Sequence, residues 1–401
     1  MKINKEVIRG SLILLIAFGL FNFFNFLFHF FMTRMLSIEN YGVLATMLAI
    51  IYIFGVFTNS IQTIVAKYSA EERDKKRIKN IFKKTINKAV LISSYLSLFY
   101  LIIIFPLSKL LSINYLLLSL NGLIIFGSLI MPISRGILQG KKRFFALGKS
   151  MVIEGFVKLI LAVIFVFVGW KVYGAFLGIV FGLFVALFFS IISLKDIMKE
   201  KEKETNVKGI YDYTKPAFLI MLLITLLLSL DIIIAKIFFP ADLAGSYSIA
   251  SILAKTVFIV TEPIGRAMFP LSTENKKNKT KSKDVFLNSL IILFLLIVLM
   301  LILFYFFPEL LVFIFAGRII SESVGILFYL AVAASFLSLS NLILLYKLSL
   351  GKVKNYAWLF LFVVIEVFLL SYFSSNLLQF SIALAVSSVA FLCGTVFFLR
   401  E

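Results

Sequence analysis

The chain has 401 residues, 61% hydrophobic and 16% aromatic, with 46 Phe and a mean hydropathy of +1.06. Soluble domains are about half apolar, so this excess excludes a soluble globular protein and implies a polytopic membrane protein. One Cys and one His exclude a disulfide framework and any His/Cys metal centre, and the placement of the net charge of +20 decides what that charge is for.

Apolar runs long enough to cross a bilayer recur along the whole chain, about twelve of them. They lie near 11–33, 43–66, 89–107, 115–133, 150–169, 172–194, 217–239, 247–269, 285–307, 321–345, 356–373 and 377–399. The first follows MKINKEVIRG, a basic start like that of a signal peptide. It is too long for a signal core and lacks a small-residue cleavage site, so it reads as a retained helix.

Most Lys and Arg fall in the N-terminus, the even-numbered loops and the C-terminus, above all in KYSAEERDKKRIKNIFKKTINK, KDIMKEKEKETNVKGIYDYTK and NKKNKTKSK. The opposite loops hold little beyond Arg34, Lys109, Lys171 and Arg318. This asymmetry puts both termini in the cytoplasm of a plasma-membrane protein, with the basic loops facing anionic lipids. Nucleic acid is not expected, because no aromatic-interleaved soluble domain accompanies the bases. The sequon at Asn278 falls on the cytoplasmic side and stays unused.

Two phrases about two hundred residues apart are alike: HFFMTRMLSIENYG from His29 and DIIIAKIFFPADLAG from Asp231. SAEERDKK at Ser69 matches STENKKNK at Ser272, and Phe105-Pro106 matches Phe307-Pro308. GKKRFFALGKSMVIE, ending at Glu154, matches GKVKNYAWLFLFVVIE, ending at Glu366. The chain is therefore expected to be all-α, two parallel six-helix repeats around a central cavity: 1–194, a cytoplasmic linker 195–216, and 217–401. Six spans per repeat give both halves the same orientation, an arrangement that transporters use to hold substrate between rocking halves.

Polar residues within spans are costly and usually face a cavity or a partner. Asn22, Asn25 and His29 share one face of the first span, and Asn59, Gln62 and Thr63 one face of the second. Asp231 lies in the seventh. Lys255, Glu262 and Arg266 form a stripe on the eighth, with Pro263 expected to bend the helix. Glu154 and Lys158 are spaced to pair within the fifth span, and Glu366 on the eleventh is the repeat partner of Glu154. Each of these residues also fits a plain helix–helix hydrogen bond. Arg34 and Lys236 sit near the outer interface, where snorkelling also accounts for them. Cys393 is expected to be a buried apolar residue.

R-G-S-L before the first span, TRMLSIENYG after it, RGILQGKKRF and SLDIIIAKIFFPADLAGSYSIA together resemble polysaccharide flippases. These are a branch of the multidrug/oligosaccharidyl-lipid/polysaccharide exporter superfamily. The resemblance spans nearly the whole chain through short, mostly apolar phrases. It implies a transporter that turns a polyprenyl-(pyro)phosphate-linked sugar from the inner to the outer leaflet by alternating access, without catalytic residues, metal or cofactor. Lys255, Arg266 and Lys236 then suit the phosphate. Asn22, Asn25, Asn59 and Gln62 suit sugar hydroxyls, and Asp231, Glu262, His29 and Arg34 are further substrate-binding candidates. Glu154, Lys158 and Glu366 are structural or serve coupling to Na+ or H+, which is left open. The pathway fits within one chain, so a monomer suffices. The first span departs from cell-wall-precursor flippases in carrying Asn and His rather than arginines.

Two rivals make other demands. A cation-coupled multidrug antiporter of the same superfamily wants unpaired carboxylates in the N-terminal half, where Glu154 stands alone beside Lys158. A membrane polysaccharide polymerase or ligase wants a long outer loop with acid–base groups, and every outer loop here is short.

Overall fold

The computed structural model describes residues 5–205, 215–274, 279–351 and 356–398, and no strand occurs among the described residues. Ten helical stretches are long and apolar enough to cross a membrane. One of them, 144–192, is two spans joined at a kink, and a shorter apolar helix over 357–372 completes the expected twelve. The sequon at Asn278, linker residues 206–214 and the phrase at 352–355 lie outside the described residues.

The helices group into two compact units, Met1–Leu36 with Phe54–Lys215, and Ser37–Ile53 with Pro216–Glu401. The first contains α1 (Lys5–Met35), the later half of α2 (Ile38–Glu71), α3 (Lys75–Leu111), α4 (Tyr115–Gly140), α5 (Phe144–Phe165), α6 (Lys171–Ile192) and the short α7 (Lys195–Met198). Helix α3 differs from the loop-then-span reading, because its basic run 75–88 is already helical. Asp74 caps it, accepting from the Lys76 backbone N–H at 3.0 Å. Between α5 and α6 the chain turns at Gly169, whose φ of +100° is left-handed and open to glycine.

In this unit α5 packs between α6 and α1. Gly174, Gly178 and Gly182 make a small-residue stripe on α6. A β-carbon at Gly178 would stand 2.5 Å from the Ala162 nitrogen, so only glycine permits the approach. On the α1 side, Gly148 meets Ala17 and Gly155 meets Phe24. An apolar core of Val65, Ile78, Phe82, Ile133, Ile137 and Leu194 joins α2, α3, α4 and the end of α6. Beyond α7, Glu202 binds Asn80 and Lys83 at 2.7 Å each, holding the following segment along α3.

The second unit holds the first half of α2, then α8 (Lys215–Leu227), α9 (Leu230–Phe238), α10 (Ala241–Ala254), α11 (Thr256–Glu274), α12 (Lys279–Phe306), α13 (Pro308–Ala316), α14 (Ser321–Ser349), α15 (Leu361–Tyr372) and α16 (Leu377–Phe398). Helix α14 is central, packing on α16, α11 and α10. The seventh span is broken at Leu228–Ser229 rather than continuous, which puts Asp231 in the first turn of α9. A carboxylate is favoured there by the helix dipole. Cys393 is exposed, contrary to expectation. It shares its face of α16 with exposed Val386, Val389 and Val396, and hydrocarbon solvates such a face as well as a core does.

Candidate substrate site

The membrane-embedded ionisable residues form clusters that the sequence pairs differently. In the second unit Asp231 is fully buried and accepts from Tyr247 Oη at 3.1 Å, Ser251 Oγ at 2.7 Å and Lys255 Nζ at 2.8 Å. Tyr247, Ser251 and Lys255 recur every four residues along α10 and its end, so one face delivers all three donors. Lys255 therefore does have a carboxylate partner, reached across the turn between α9 and α10. A cavity of about 10 Å³ lies beside the pair, lined by Leu227, Asp231, Ser251, Lys255, Leu330 and Leu384. That is room for about one water, not a sugar.

The expected stripe on the eighth span divides. Helix α10 gives way to α11 at Lys255, eight residues ahead of Pro263, and the residues beyond pair among themselves. Arg266 holds Glu262 at 2.7 Å within α11. Glu366 is fully buried on α15, and neither carboxyl oxygen has a hydrogen-bond partner among the described residues. Lys236 is buried near the end of α9, with Glu39 as an electrostatic neighbour.

The first unit carries the second cluster. Glu154 does not pair with Lys158 one turn on. It binds Arg135 Nη2 of α4 at 2.7 Å, while Arg135 Nε donates to Ser150 Oγ at 3.1 Å and Ser150 meets Ser190 at 2.7 Å. Sequence reasoning missed Arg135, because RGILQGKKRF reads as loop whereas α4 continues to Gly140 and places the arginine inside the helix. The recoverable signal was Ile133 and Ile137 flanking it at helical spacing. Lys158 instead donates to Asn25 Oδ1 of α1, and its Nζ stands 4.5 Å from the centroid of the Phe28 ring.

Asn22 and Asn25 each donate to a carbonyl one turn back, Phe18 at 3.0 Å and Phe21 at 2.9 Å. Gln62 donates to Gln139 Oε1 at 2.9 Å. His29 packs edge-on to Phe28, and Arg34 sits 4.0 Å above the Phe30 ring. The side chain of Asn59 is outside the described set.

Two helical units, apolar helices long enough to cross a membrane and charged residues tied inside them define a multi-pass membrane protein. The chain belongs to the polysaccharide biosynthesis protein family, whose model matches residues 7–276. An uncharacterized membrane protein of Methanocaldococcus jannaschii is 24% identical over 94% of both chains. Among solved structures, an inward-facing multidrug resistance MATE family transporter of the MOP superfamily superposes with a TM-score of 0.77 at 14% identity, covering 94% of both chains. An outward-facing MATE structure gives 0.68 at 15% identity over 99% of this chain and 95% of that one. A MOP superfamily transporter from Pyrococcus furiosus gives 0.64 at 16% identity over 99% and 96%. These structures share the fold with this chain.

Proposed function

We propose that the protein carries a lipid-linked oligosaccharide from the cytoplasmic to the outer leaflet of the plasma membrane by alternating access of its halves. One observation supports this over the transport of organic cations. Each span carboxylate in the clusters is either bound by a base, as in Glu154–Arg135, Asp231–Lys255 and Glu262–Arg266, or fully buried, as is Glu366. Lys158 and Lys236 make no salt bridge among the described residues and have Glu154 and Glu39 only as electrostatic neighbours, which supports an anion over a cation. In the Pyrococcus furiosus transporter, reverse polarity of the binding pocket suggests a different function. The basic starts of α3 and α12 support a reading in which both termini are cytoplasmic and the positive charge lies against anionic lipid.

The test reconstitutes the protein in liposomes with a fluorescent polyprenyl-pyrophosphate oligosaccharide and follows its accessibility in each leaflet. Protein-dependent transfer is expected. Absence of transfer together with proton- or sodium-driven uptake of an organic cation would assign the protein to the antiporters instead.

A further inference from the structure

Lys158 is held but not neutralised. The glycine stripe of α6 presses on its backbone, since a β-carbon at Gly182 would lie 2.9 Å from Lys158 Cβ and 2.8 Å from the Glu154 carbonyl oxygen. Gly155 lets α1 approach the same stretch of α5, a β-carbon there standing 3.1 Å from Phe24 Cβ. The lysine reaches α1, where its hydrogen bond and ring contact are with neutral groups, the Asn25 amide oxygen and the Phe28 ring, while Glu154 acts on it only as an electrostatic neighbour. The bond from Asn25 Nδ2 to the Phe21 carbonyl at 2.9 Å turns the amide so that its oxygen faces the ammonium. Meanwhile the nearest acid, Glu154, is bound by Arg135.

Neutral acceptors orient an ammonium without cancelling its charge, and an ammonium has three N–H bonds to give. A cation at this depth remains costly until an anion joins it. The second repeat does not share the device. Glu366 is the counterpart of Glu154, and one turn further along α15 stands Leu370, fully buried. The base is thus specific to the first half, as expected of a ligand contact rather than of the shared scaffold.

We propose that Lys158, positioned by Asn25 and Phe28, binds the phosphate of a polyprenyl-phosphate-linked substrate, an inference that rests on the flippase reading above. Lysine recognises phosphate as a compact point charge, and a lipid tail is what brings an anion to this depth. Lys255 has no such role, because Asp231 already neutralises it.

The experiment compares binding of polyprenyl phosphate with that of the uncharged polyprenol of equal length to purified protein, by native mass spectrometry and by Tm shift. The wild type should prefer the phosphate by about tenfold or more, the scale of one charged hydrogen bond. Lys158→Gln should lose the preference and Lys158→Arg should keep it. Asn25→Asp, which sets a carboxylate on the ammonium and gives up the donor to the Phe21 carbonyl, should lose it as well. If the Gln and Asp variants keep the wild-type preference, the site is wrong. Inorganic phosphate at millimolar concentration should not compete; full competition would assign the site to free phosphate and overturn a lipid ligand. The leaflet assay separates the two readings. Wild-type transfer with binding indifferent to Lys158 sinks the site alone. Lys158-dependent binding without transfer sinks the flippase alone.

Discussion

Gly42 and Gly245 lie backbone against backbone: a β-carbon on Gly42 would stand 2.8 Å from the Gly245 Cα, and one on Gly245 would stand 2.2 Å from the Ile38 carbonyl oxygen. These glycines close the two copies of the repeated phrase. Its recurrence thus has a packing reason: equivalent second helices, α2 and α10, cross where neither has a side chain.

Gly42→Ala should therefore destabilise the protein by roughly 1–3 kcal/mol through overpacking. Gly55 is a fair control on the same helix, because a β-carbon there meets nothing within 4 Å. Gly55→Ala should be neutral or stabilising by up to about 1 kcal/mol, from helix propensity alone. Thermal melts in detergent of the two variants side by side check this. Equal Tm values would mean that the crossing tolerates a methyl group.

Asp231 and Lys255 are expected to behave as one unit. Lys255→Met leaves a fully buried carboxylate without its base, and Asp231→Asn leaves the ammonium without its acid. Each single change should cost about 3–5 kcal/mol, while the double variant should be more stable than either, since removing both charges removes both burial costs. A double-mutant cycle on Tm measures the coupling. Additive losses would show that the pair does not interact. A loss of transport in Lys255→Ala alone accordingly reports stability as much as substrate contact.

How far the sequence could be read depended on distance along the chain. The spans follow from local hydropathy, which is why they match. Partner choice does not. Asp231 and Lys255 are separated by the α9–α10 turn, and hydropathy passes over the break at Ser229 that sets Asp231 in the first turn of α9. Glu154 had a base one turn away, yet it took Arg135 because the glycines of α6 fix where α5 sits and a guanidinium from α4 reaches the carboxylate first. Cys393 misled for another reason: in a span, apolar does not mean buried.

Glu366 makes a contrary prediction for stability. Among the described residues both carboxyl oxygens are buried without a hydrogen bond, and its charged neighbours are Asp231 and Lys255. Replacing an unsatisfied buried polar group by an apolar one of similar size is neutral or stabilising. Glu366→Leu should keep or raise the Tm. A fall of several degrees would show that the carboxyl makes bonds in the working protein, as a coupling residue would.

At the membrane surface, Arg143 grips Asp196 through two bonds of 2.7 and 2.6 Å, with Lys75 at 3.0 Å. The hydrogen bonds from Arg143, against a smaller opposing effect of burial, hold the Asp196 carboxyl well below its ordinary 3.8. The group is depressed on folding, so its contribution is complete above the unfolded value and is lost as pH falls through the folded one. Asp196→Asn should thus lower the Tm at neutral pH. The gap from wild type should stay constant down to about pH 5 and close progressively below pH 4. The carboxylate is more than a third exposed, so solvent screening keeps the gap small, a few degrees at most. Melting both proteins across pH 3 to 8 measures it, and a gap that widens on acidification would contradict the assigned pairing.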